Sequence, residues 1–152
     1  MSTEQKKTFY VVGVSVRTTN ENQQAAKDIP ALWQRFMSEN IANKIPNKSS
    51  NEIYAVYTDY ESDHMKPYTT IIGYKVNEVD DIPEGFVSKK IEAPNYKTYV
   101  AQGNLTEGVV YDKWLEIWEE DINRAYTSDY EVYGAKASDP TNAEVEIFIG
   151  VN

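Results

Sequence analysis

Glu52-Ile-Tyr-Ala-Val-Tyr-Thr-Asp-Tyr60, the polar run Glu61-Ser-Asp-His-Met-Lys-Pro67 and Tyr68-Thr-Thr-Ile-Ile-Gly-Tyr-Lys-Val76 together decide the fold. The two flanks are rich in β-branched and aromatic residues and the middle forms turns, so 52–60 and 68–76 are expected to be the strands of a hairpin. Immediately upstream, 43–51 carries Asn, Ser, Lys and Pro46 and reads as a loop. Before it, Ile29, Leu32, Trp33, Phe36 and Met37 recur at the spacing of one buried helical stripe. Asp28 is placed to cap that helix, which should run to Ser38 or a little beyond. Earlier still, 8–17 has the β-branched bias of a strand, interrupted by Gly13.

Downstream of the hairpin the same series returns. An acidic connector, 77–84, ends in Pro83 and Gly85. Strands are expected at 86–91 and 96–103, around Ala93-Pro94-Asn95. Thr106 is placed to cap a second helix with the stripe Val110, Trp114, Ile117, Trp118 and Ile122, although Gly108 weakens its first turn. A strand at 129–136, a loop through Ser138-Asp-Pro-Thr-Asn142 and a strand at 143–151 close the chain. The pattern implies an α+β fold of duplicated βαββ units, forming an antiparallel sheet with two helices and a central ligand cleft. The pseudo-repeats fall at about 8–77 and 86–152 of one domain spanning 1–152, and a cleft where two such units meet is a common ligand site.

Composition narrows the function. The 152 residues include no cysteine, which excludes disulfides, thiolate metal sites and cysteine nucleophiles. The polar start and the lack of any stretch near the roughly 20 apolar residues of a membrane span give the expectation of a cytoplasmic protein with no membrane partner. The Asn-x-Ser/Thr matches at Asn47 and Asn104 would matter only in a secreted chain. With 24 acidic and 15 basic residues the net charge is −9, the wrong sign for neutralising phosphates, so direct nucleic-acid binding is not expected. The acidic runs read as solvated loops and helix faces. The sole histidine, His64, falls in a turn and cannot by itself build a triad or a metal site; no metal or cofactor is expected. Twelve tyrosines, three tryptophans and four phenylalanines supply walls that are apolar on their faces and polar at their tips.

Trp114-x-x-x-Trp118, Arg124, Asp-Tyr-Glu-Val-Tyr133, Pro140 and the closing Ala-Glu-Val-Glu-Ile-Phe-Ile-Gly-Val151 resemble the C-terminal half of GyrI-like domains, the effector-binding domains of bacterial transcription activators. The Trp-containing first helix and Ile-Tyr-Ala-Val-Tyr57 fit the first half, so the resemblance runs from about Thr8 onward. It implies a central cavity in which Glu131 is the counter-charge for cationic, often aromatic, ligands, with Tyr133 and Phe148 lining it. No helix-turn-helix segment precedes or follows, so a stand-alone member is expected rather than a transcription factor.

The residues support that site on their own. Side chains two apart on a strand share a face, so Glu131 and Tyr133 lie together while Tyr130 and Val132 point away. If Tyr57 aligns with Tyr133, Ala55 mirrors Glu131, and the cleft holds one acidic group facing a small residue. A carboxylate in an apolar cavity is costly when ionised, and a cation stacked on aromatic walls relieves that cost. Glu131 could instead be an exposed carboxylate paired with a lysine, and Trp33, Trp114 and Trp118 plain core. Tyr54 and Tyr57 lie on opposite strand faces, and Tyr57 is the one expected in the cavity. Glu144 and Glu146, on the face of Phe148, read as an exposed edge. The expected ligand-binding set is therefore Glu131, Tyr133, Phe148, Tyr57, Trp114 and Trp118, serving small, cationic or amphipathic aromatic molecules for sensing or sequestration. No catalytic residue is assigned. The alternatives are a hydrolase of reactive electrophiles, with Glu131 as base and a tyrosine as proton donor, and a protein-interaction role toward DNA gyrase or a regulator.

Overall fold

The computed structural model describes residues 3–4, 9–61, 66–79, 82–91, 95–120, 124–137, 139 and 141–151. The turn around His64, the Ala93-Pro94 turn, Ile122, Ser138, Pro140 and the side chain of Thr106 lie outside the described residues. The strands are β1 (Thr3–Glu4), β2 (Phe9–Thr18), β3 (Lys48–Thr58), β4 (Tyr68–Val76), β5 (Val87–Ile91), β6 (Asn95–Gly103), β7 (Ser128–Tyr133) and β8 (Ala143–Val151). They form one antiparallel sheet in the order β1-β6-β8-β7-β3-β4-β2-β5, with helices α1 (Ala25–Ser38) and α2 (Val109–Glu119). The α+β reading and the expected hairpin of β3 and β4 both hold.

Residues paired directly across an antiparallel ladder share a face. One such row crosses the sheet as Val14, Ile72, Ala55, Glu131, Ile147 and Tyr99. Ala55 and Glu131 form its central pair. Flanking strands then match outward: Ile72 and Val14 on one side correspond to Ile147 and Tyr99 on the other. Both helices cover this face. Leu32 and Phe36 of α1 pack on Val12, Val14 and Ile72. Trp114 and Ile117 of α2 pack on Tyr99, Ala101 and Ile147.

The other face is buried without a helix, and sheet curvature explains it. β5 and β6 lie six strands apart in the order, about 29 Å in a flat sheet. Only residues 92–94 join Ile91 to Asn95, a link reaching at most about 14 Å. The sheet therefore curls until its flanks meet. Phe9 of β2 lies against Tyr130 of β7 with ring centroids 5.3 Å apart, and Tyr96 of β6 reaches the same ring at 5.3 Å. Gly13 and Gly73, paired in β2 and β4, permit the bend. A Cβ at Gly13 would sit 2.1 Å from the carbonyl oxygen of Ile72, and one at Gly73 2.0 Å from that of Val12.

Several boundaries differ from the sequence reading. β3 starts at Lys48 rather than after a loop ending at 51, because Lys48 pairs with Val76 across an irregularity before Ile53. α1 starts at Ala25, where its N–H donates to the Thr19 carbonyl. Asp28 thus sits in the first turn and is not the cap. Met37, expected on the buried stripe, is 63% exposed. Gly108, expected to weaken α2, is its N-cap, with φ of 78° that an L side chain rarely adopts. β5 and β6 do not pair with each other; β5 pairs with β2 and β6 with β8.

Candidate functional site

A cavity of about 740 Å³ opens between α1, α2 and the helix-covered face of the sheet. Glu131 lines its floor, paired across the ladder with the small residue Ala55. Tyr57 comes from β3, Tyr133 from β7, and Trp114 and Trp118 from α2 one turn apart; all four line the cavity with Glu131. Trp114 is buried and Trp118 half-buried at the rim, with ring centroids 6.4 Å apart. α1 closes the opposite wall with Ile29 and Trp33.

Glu131 is 1% exposed. The Tyr133 hydroxyl donates to Oε1 at 2.7 Å; the Trp114 indole N–H and the Tyr57 hydroxyl donate to Oε2 at 2.5 Å and 3.1 Å. All three donors are neutral, and among the described residues no lysine or arginine forms an ion pair with it. Burial pushes its pKa above the ordinary glutamate range, and the hydrogen bonds from Tyr133, Trp114 and Tyr57 hold it back. The same burial, with the Glu131 charge, drives the hydroxyls of Tyr57 and Tyr133 well above the ordinary tyrosine value, so both remain donors. Glu131 is therefore not an exposed strand carboxylate with a lysine partner.

Phe148 is not at this site. It pairs with Tyr130 and stacks on it at 4.8 Å, on the concave face away from Glu131, as strand alternation dictates once Ile147 pairs with Glu131. Tyr54 lies on that face too. Glu146 is exposed and Glu144 half-buried.

Tyr60, Tyr68 and Arg124 of the cavity wall, and Asp129 buried behind them, are not among the site residues expected from sequence. Asp129, two before Glu131 and so on the same face, is fully buried and accepts from Arg124 at 2.7 Å, from the Tyr60 hydroxyl at 2.5 Å and from the Gly150 N–H at 2.8 Å. Arg124 also lies 4.4 Å from the Tyr126 ring. Tyr60, Tyr68 and Arg124 line the end of the cavity beyond Tyr57. The period of two that selected Tyr133 selects Asp129 as well. Nothing local marks Tyr60 or Tyr68. With Asp129 paired to Arg124, Glu131 is, among the described residues lining the cavity, the acidic group with no basic partner. Among the described residues no group of His, Cys, Asp and Glu is arranged to hold a metal ion, and no helix is long and apolar enough to cross a membrane.

Residues 3–151 match the family model described as an integron-associated effector binding protein. An integron cassette protein from the mobile metagenome of Vibrio cholerae is 31% identical, with a TM-score of 0.74 over 99% of this chain and 95% of its own. YobU of Bacillus subtilis (strain 168), which carries the name of a transcriptional regulator, is 29% identical over 91% of this chain and 89% of its length. SAV2435, solved with tetraphenylphosphonium bound, is 21% identical and shares the fold with a TM-score of 0.81 over 99% of this chain and 93% of its own.

Proposed function

This chain belongs to the integron-associated effector binding protein family, the GyrI-like effector-binding class, and from that premise we propose that it captures lipophilic aromatic cations between α1 and α2, with Glu131 as the counter-charge. The observation that carries the reading is a fully buried carboxylate held by three neutral donors, with no ion pair among the described residues. Such a group is costly in its ionised form, and a cation entering the cavity relieves that cost while its aromatic face meets Tyr57, Trp114 or Trp118. Uncharged ligands gain only the apolar contact. That SAV2435 binds tetraphenylphosphonium on the same fold supports this chemical class. The capture would serve sensing or sequestration.

The arrangement favours binding over hydrolysis. Both oxygens of Glu131 already accept side-chain hydrogen bonds, which fixes the carboxylate as a charge rather than aiming it at a water. The test is a melting-temperature screen of cationic and uncharged aromatic compounds against wild type and Glu131→Gln. Cations are expected to raise the wild-type melting temperature and to lose that effect in the variant. Equal shifts in both proteins would remove Glu131 from the site and bring forward a role for the acidic surface toward a protein partner.

A further inference from the structure

A second cavity, of about 910 Å³, adjoins the first. Trp33, Val110 and Tyr133 line both, so the two are compartments of one cleft between α1 and α2. The partition is thin: the rings of Trp33 and Tyr133 meet edge to face with centroids 5.0 Å apart. Tyr133 is held there by its hydrogen bond to Glu131, whereas Trp33 is half-buried on α1.

The remaining walls of the second compartment are apolar, with Met37 from α1, Ile53 from β3, and Leu105 and Ala137 from the segments beside them. Ile53 pairs with Tyr133 and so faces the helices, as Glu131 does two residues along. Strand alternation turns Glu52, at the margin of the cavity, to the opposite face against Gly134. Among the described lining residues no charge therefore faces the cleft here. Met37 is 63% exposed and Leu105 half-buried, which leaves apolar surface open directly beside the Glu131 site. The first compartment offers a charge and aromatic faces; the second offers apolar surface alone. A ligand that uses both is a cationic amphiphile.

We propose that the second compartment is a subsite for an alkyl tail, whose cationic head rests at Glu131 and whose chain passes beside Trp33 between α1 and α2. A methylene chain suits this passage better than a ring, which would have to displace Trp33 from Tyr133 to enter. The proposal builds on the Glu131 reading and adds a dependence on chain length. Tyr133 stands two residues from Glu131, about 7 Å along β7, so the first five or six carbons of an extended chain, roughly, bring it to the partition. Carbons beyond that point lie in the second compartment, where each buried methylene raises affinity by about threefold to fourfold.

The experiment is calorimetric titration of alkyltriphenylphosphonium cations, from methyl to tetradecyl and below their micelle-forming concentrations, against wild type, Glu131→Gln and the double variant Met37→Gln/Leu105→Gln. The head is constant along the series, so the ratio of decyl to hexyl affinity reads the tail alone. In wild type that ratio is expected to be at least about tenfold, at one ligand per chain. In the double variant it should fall toward one while the methyl compound still binds through Glu131. A wild-type affinity that stays level beyond six carbons would overturn the proposal. So would a ratio that survives undiminished in the double variant, because the tail would then lie elsewhere. Methyl binding that depends on Glu131 without any gain beyond six carbons removes only the tail subsite. Absence of binding by every member of the series removes the Glu131 reading as well.

Discussion

Glu131 has a raised pKa in the folded chain, and the sign of its linkage follows. The folded state prefers the protonated form, so its contribution to stability is complete below the ordinary glutamate value and is lost as pH rises through the raised one. Stability measured from pH 4 upward should fall more in wild type than in Glu131→Gln across that window. Cation affinity should run the opposite way, rising with pH as the carboxylate ionises and then levelling, with protons released on binding. Tyr133→Phe removes the donor at 2.7 Å, a charge-assisted bond worth about 1.5–3 kcal/mol, and is expected to move the midpoint of the affinity profile to higher pH. An unmoved midpoint would mean that the tyrosine does not hold the carboxylate. Glu131 and Tyr133 were legible because strand alternation needs only the sequence. Phe148 was misplaced because its face depends on which residue of β8 pairs with β7, and register is a tertiary fact.

At the scale of elements, the buried stripe gave both helices and the turn chemistry gave the hairpin, while the ends escaped. Helix starts depend on how the preceding chain arrives. Gly108 reads from sequence as a poor first-turn residue, yet its φ of 78° makes it the stop from which α2 departs. Gly108→Ala should therefore destabilise the protein by about 1 kcal/mol in a denaturant melt, and an unchanged midpoint would contradict that assignment. Gly13→Ala should be far worse. The added methyl would lie 2.1 Å from a backbone carbonyl that cannot swing away, and a loss of about 3 kcal/mol or more is expected. Full native stability in Gly13→Ala would show that β2 and β4 can separate without cost.

Across the whole molecule, one sheet supports both the cleft and a concave aromatic core. Curling buries Tyr54, Tyr96, Tyr130 and Phe148 on the inner side and leaves the helix-covered face to open between the two units. We read this as one domain made of two repeats, whose central pair, Ala55 and Glu131, places a single carboxylate where two related units meet. The order of elements was visible in the sequence; the curl was not, because it follows from the joining of β5 to β6 at opposite sides of the sheet. The net charge of −9 should also speed the approach of cations at low salt, with association slowing as ionic strength rises. Capture of a cation by Glu131 is tested most directly by a crystal structure of the protein with tetraphenylphosphonium. The phosphorus is expected within about 6 Å of the Glu131 carboxylate, with phenyl rings against Tyr57 and Trp114. A cation bound on the acidic surface, or in the cleft with Glu131 still reached only by its three neutral donors, would contradict it.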